Sequence, residues 1–147
     1  MEAIKLDIDT AVKLINDAIE ERGEDYVYPK EPGRDCLYVH TDSVWDPDEE
    51  EYVYSEGTTP GCLVGLAFAK AGVPLREFAP FEGSDAEALI DGFEAEGIVT
   101  DVDPKAKNLL YRAQFLQDSG SSWGQARKAA YAESLGCNPD GTMIDGN

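Results

Sequence analysis

The stretch Thr59-Pro60-Gly61-Cys62-Leu63-Val64-Gly65-Leu66-Ala67-Phe68-Ala69-Lys70-Ala71-Gly72 decides the fold, because it carries a single charge, Lys70, across fourteen positions. Thr59 as an N-cap, Pro60 at the first helical position and Gly72 as a stop predict a helix through it. A helix that is apolar nearly all round has no face to offer water, so it belongs at the centre of the fold with other elements around it.

On the N-terminal side, Ile8, Ala11, Val12, Ile15, Ala18 and Ile19 recur at helical spacing and predict a helix from about Asp7 to Arg22, closed by Gly23. Three β-rich runs then follow, Tyr26-Val27-Tyr28, Cys36-Leu37-Tyr38-Val39-His40 and Tyr52-Val53-Tyr54. Turn signals at Pro32-Gly33 and Asp46-Pro47-Asp48 separate them, which predicts an antiparallel meander. On the C-terminal side, Ser84 with Glu87 reads as a capping box for a short helix to about Glu94. Asp103-Pro104 opens a helix reaching Gly120, and Ser122 with Gln125 opens the last, ending at Gly136. Trp123, in the first turn of that helix, is expected to fold back over Leu116 and lock a helical hairpin. The expected class is α+β: about five helices around a central apolar helix, with a small three-stranded antiparallel sheet. With 147 residues, 42% of them apolar, the chain can enclose its own core. One globular domain is expected over residues 1–137, with a loose C-terminal tail over 138–147.

Thirty acidic against twelve basic side chains leave a formal charge of −18, which repels a nucleic-acid backbone and an anionic membrane surface alike. Direct nucleic-acid binding and membrane binding are therefore not expected. No apolar run approaches the roughly 20 residues that span a bilayer. Met1 to Leu6 lacks the basic-then-apolar pattern of a secretory signal, so a cytoplasmic setting is expected. The charge is segregated: Thr41–Glu56 and Glu77–Pro104 hold no lysine or arginine, whereas Lys105, Lys107, Arg112, Arg127 and Lys128 gather in the last two helices.

Chemistry has few places to reside. Cys62 is read as lying in the first turn of the central helix, where the helix dipole and open amides favour a thiolate. His40, the only histidine, is read onto a strand upstream. A cysteine at a helix start beside a strand histidine suits a papain-like hydrolase or acyltransferase, with Cys62 as nucleophile and His40 as base. Cys36, His40, Cys62 and Cys137 could be gathered into a metal set, but residues four apart on a strand lie roughly 13 Å from each other, so no metal or other cofactor is expected. The run Asp46-Pro47-Asp48-Glu49-Glu50-Glu51 lacks the glycine and spacing of a calcium loop and reads as a solvated acidic turn. Gly57-Thr58-Thr59-Pro60-Gly61 lacks the ending of a phosphate-binding loop. Trp45 and Tyr26, Tyr28, Tyr38, Tyr52 and Tyr54 are candidates for an aromatic binding face, about half of them serving the core instead.

Gly61-Cys62-Leu63-Val64-Gly65 through Ala71-Gly72-Val73 resembles, over about a dozen residues, the nucleophile helix of cell-wall peptidases of the NlpC/P60 type, with the histidine upstream as in permuted relatives. A longer set of motifs runs from Glu21-Arg22-Gly23, Tyr26-Val27-Tyr28 and Cys36-Leu37-Tyr38-Val39 to Gly61–Gly65 and Gly72-Val73-Pro74-Leu75. It ends with Gln117-Asp118-Ser119-Gly120 and Trp123-Gly124-Gln125-Ala126. In this order the set resembles a group of uncharacterised small acidic proteins of actinobacteriophages and actinobacteria. That resemblance implies a phage or accessory-gene setting and no activity.

The leading expectation is a binding protein whose carboxylate-rich surface, from Asp42 to Glu56 and from Glu77 to Asp103, meets a basic surface on a host or phage protein, with Asp46, Asp48, Glu49, Glu50 and Glu51 beside Trp45 as candidate contacts. A sharper version is mimicry of a nucleic acid, spaced carboxylates standing in for phosphates. The rival classes are the Cys62–His40 enzyme and a homo-oligomeric structural protein joined through a tyrosine-rich sheet edge.

Overall fold

The computed structural model describes residues 2–28, 38–40, 43–54, 59–81 and 84–136. Its regular elements are mostly helical: α1 (Ile8–Arg22), α2 (Leu63–Lys70), a 3-10 helix (Leu75–Phe81), α3 (Ala86–Ala95), α4 (Pro104–Asp118) and α5 (Trp123–Leu135). The strands are short and form three separate pairs. β1 (Ile4–Lys5) runs parallel to β6 (Val99–Thr100), β2 (Val39–His40) antiparallel to β5 (Thr59–Pro60), and β3 (Ser43–Asp46) antiparallel to β4 (Glu51–Tyr54).

The expected α+β class with a three-stranded antiparallel sheet is therefore wrong: the described residues form no such sheet and the fold is carried by helices. The reason lies in what the β-rich runs do with their backbones. Tyr26 does not join a strand; its carbonyl accepts from the amide of Trp123 at 2.8 Å, and the Glu24 carbonyl accepts from Gly124 at 2.8 Å. These bonds satisfy the first turn of α5, whose amides have no partner within the helix. Backbone demand at a helix end has outweighed the β-propensity of Tyr26-Val27-Tyr28. Thr59-Pro60 likewise forms β5 instead of opening the central helix, with Gly61 extending the pairing through its amide to the Tyr38 carbonyl at 2.8 Å. Proline tolerates this place because a two-stranded pair is all edge and asks nothing of its missing N–H.

The other helix ends follow local rules. Asp7 accepts from the Thr10 amide at 2.8 Å, and that bond to the charged form holds the Asp7 carboxyl below its ordinary pKa. Asp85, one residue beyond the expected Ser84, caps α3 by accepting from Ala88 at 2.9 Å. Asp103 caps α4 from the position before Pro104, and Ser122 caps α5. Gly136 closes α5 in the left-handed conformation, with φ 67°. The expected tail over 138–147, like Cys137 before it, lies outside the described residues.

Helices α1 and α4 pack against α2, α3 reaches it through Phe93 on Phe68, and α5 packs mainly on α4; every residue of α2 from Leu63 to Phe68 is buried. Phe93 of α3 is the aromatic hub, meeting Phe68, Phe78 and Phe81 edge-on at centroid distances of 5.4, 5.4 and 5.6 Å. Tyr38, which is buried, extends this cluster by stacking on Phe78 at 6.0 Å. Gly65 is what lets α2 lie so close to β2: a Cβ there would stand 2.2 Å from the Tyr38 carbonyl oxygen. Because that neighbour is backbone, it has no rotamer by which to retreat. Gly65→Ala should therefore destabilise the protein by about 3 kcal/mol, the upper end of ordinary overpacking costs. Urea denaturation measures this, and a loss below about 1 kcal/mol would mean that α2 and Tyr38 are not in such close approach.

Candidate functional site

The N-terminus of α2 is buried, so its amides cannot rely on water. Cys62 occupies the N-cap position with extended backbone, and its side chain makes no capping bond. Two glutamines of α4 take over that task. Gln117 Oε1 accepts from the Leu63 amide at 2.9 Å and Gln114 Oε1 from the Val64 amide at 3.0 Å. Three residues apart on one helix, both reach the same spot. Their own amide groups converge in turn: Gln114 Nε2 and Gln117 Nε2 donate to Asp118 Oδ1 at 3.0 and 2.7 Å. A carboxylate is thus linked through two side-chain amides to the positive end of α2. Asp118 ends α4, where a negative charge opposes that helix's own dipole; its two amide donors offset this.

The other side of the same junction is held by Arg22. Its guanidinium donates to the Gly61 carbonyl and lies 5.2 Å from the ring centroids of both Tyr26 and Trp123. Trp123 is fully buried and meets Tyr26 edge-on at 4.7 Å. It thereby ties the start of α5 to the chain leaving α1, a role that the sequence reading, which set it over Leu116, did not assign. One cation joins the ends of α1, α2 and α5.

These neighbours bear directly on Cys62. Its side chain has no solvent exposure. The first two amides of its helix, which would have to stabilise a thiolate or an oxyanion, are already bonded to Gln117 and Gln114. The register places the His40 backbone beside Thr59; the position of its imidazole lies outside the description. Among the described residues no three His, Cys, Asp or Glu side chains gather as metal ligands. Cys36 and Cys137 lie outside those residues.

The acidic run falls where β3 turns into β4. Asp48, Glu49 and Glu50 in that turn are exposed, and Glu50 sits in the left-handed region at φ 54°. Backbone pairing sets Trp45 opposite Tyr52 and Asp46 opposite Glu51; the side chains of these four are not described. Elsewhere cations stand against carboxylates: Lys13 with Asp17, Lys70 with Glu21, Lys107 with Asp91, Arg112 with Glu133 and Arg127 with Glu24. The Asp91 carboxylate, bonded at 3.0 Å, raises the pKa of Lys107.

Sequence reasoning missed Gln114, Gln117 and Asp118 as a unit. The available signal was two amides at core positions on the stripe that includes Leu110 and Ala113; all four are buried. Compared with known proteins, the chain matches no family model, no curated protein and no solved structure.

Replacing Gln114 or Gln117 by Leu removes an acceptor and strands a buried amide, so each change should cost about 2 kcal/mol in urea unfolding. An unchanged midpoint would show that the amides have another partner. Cys62 should resist iodoacetamide in the native protein and react once the chain is unfolded, as read by mass spectrometry of the labelled peptides. Rapid native labelling with a depressed apparent pKa would instead restore the nucleophile reading.

Proposed function

We propose that the chain is a non-enzymatic binding protein whose carboxylates engage a protein partner with a basic surface. The observation that carries this reading is the acidic turn Asp48-Glu49-Glu50, exposed at the tip of the β3–β4 pair, with Glu50 in a left-handed conformation that glycine or asparagine adopts more readily. The pairing of many cations with carboxylates, against a formal charge of −18, leaves the acidic surplus to set the long-range field. Such a field steers a basic partner and weakens as salt is added. A phage or accessory-gene setting rests on the order of motifs alone, and nucleic-acid mimicry is the sharper form of the same proposal. Cysteine chemistry has less support, because the thiol is enclosed and the nearest helix amides are occupied. No helix among the described residues is long and apolar enough to cross a membrane.

Calorimetric titration with a lysine-rich peptide at low and physiological salt tests this. Joint reversal of Asp48, Glu49 and Glu50 to lysine should weaken binding at least about tenfold more than reversal of Glu2, Glu20 and Glu96, which changes net charge equally. Equal losses from the two sets would sink the turn as the site.

A further inference from the structure

Helix α4 leaves an aromatic pair at its surface. Tyr111 and Phe115, one turn apart, stack with centroids 6.2 Å apart and an interplanar angle of 26°, and Phe115 is 50% exposed. Beside them a pocket of about 70 Å³ opens between the N-terminal end of α3 and the C-terminal half of α4. Its walls are Asp85, Ala86, Tyr111, Gln114, Phe115 and Asp118. Two acidic and two aromatic residues therefore line one small space, and each acid is already oriented by the protein: Asp85 accepts from the Ala88 amide and Asp118 from Gln114 and Gln117. Gln114 reaches it while bonded to Val64 and Asp118, so the wall is fixed by the buried junction behind it.

We propose that this pocket receives an arginine side chain of a partner polypeptide. The argument is one of complementarity. An anion would meet Asp85 and Asp118. A neutral apolar group would strip water from those carboxylates without replacing its hydrogen bonds. A planar guanidinium stacks on an aromatic face and gives paired N–H donors to carboxylates, while its aliphatic stem covers exposed ring carbon. A compact ammonium keeps its hydration more strongly and has no flat face. The volume suits the head of one side chain, being far below the roughly 300 Å³ at which small-molecule pockets begin. Lys107, one turn before Tyr111, is held by Asp91 at 3.0 Å and so is engaged away from the role.

The inference rests on the basic-partner reading but places its anchor at α3–α4 instead of at the β3–β4 turn. The test compares a tri-arginine with a tri-lysine peptide, each titrated into the full chain and followed by NMR at the Tyr111 and Phe115 rings and the Gln114 side-chain amide. The arginine peptide should move these signals and the lysine peptide should move them far less. Phe115→Ala, and Asp85→Asn, which keeps a capping side chain, should each weaken the arginine peptide about tenfold. Unfolding midpoints close to the parent's establish that the variants are folded. Equal shifts from both peptides, or shifts confined to the β3–β4 turn, would overturn the arginine pocket. If reversal of Asp48, Glu49 and Glu50 abolishes binding while the pocket variants do not, the pocket fails and the acidic-turn reading survives. The opposite pattern retains the pocket and discards the turn, and absence of binding by either peptide removes both.

Discussion

Burying the first turn of a helix creates a demand that water would otherwise meet. In this protein α2 is the most apolar element, and its amides at Leu63 and Val64 are enclosed with it. Gln117 and Gln114 satisfy them from a helix some fifty residues later in the chain. Much else follows from that constraint. It places α4 against α2, it requires Asp118 at an otherwise unfavourable helix end, and it leaves Cys62 as a small buried residue at the cap.

Arg22 is the counterpart on the other flank. By reaching the Gly61 carbonyl and lying over Tyr26 and Trp123, it joins three helix ends that no local signal connects. The carbonyls of Glu24 and Tyr26 then serve α5, so a run rich in β-forming residues becomes the seat of a helix N-terminus. The two arrangements share one logic: polar groups buried with a helix end are met by long-range partners, and local propensity yields wherever it competes with them.

The same junction bears on function. Its amides occupy the positions that cysteine chemistry at Cys62 would use, which shifts attention to the surface. There the polar network emerges at Asp118 beside Tyr111 and Phe115, so the wall of the α3–α4 pocket is braced from within by Gln114. The proposed arginine pocket, resting on such a brace, would need little ordering to bind.

The sequence by itself determined the helices with strong local signals. The apolar stripe from Ile8 to Ile19, Asp103 before Pro104, Ser122 with Gln125, and Gly136 each express short-range sterics or a cap two or three residues away. It also determined the acidic surplus, which is a sum over residues. Tertiary structure alone decided that Tyr26 would serve α5, that Ile4–Lys5 would pair in parallel with Val99–Thr100, and that Thr59-Pro60 would be strand. It alone brought Gln114 and Gln117 to α2 and set Asp85 across from Tyr111 and Phe115. These outcomes depend on which distant backbone groups are buried together. That is settled by packing in three dimensions, and residue spacing along the chain carries no record of it.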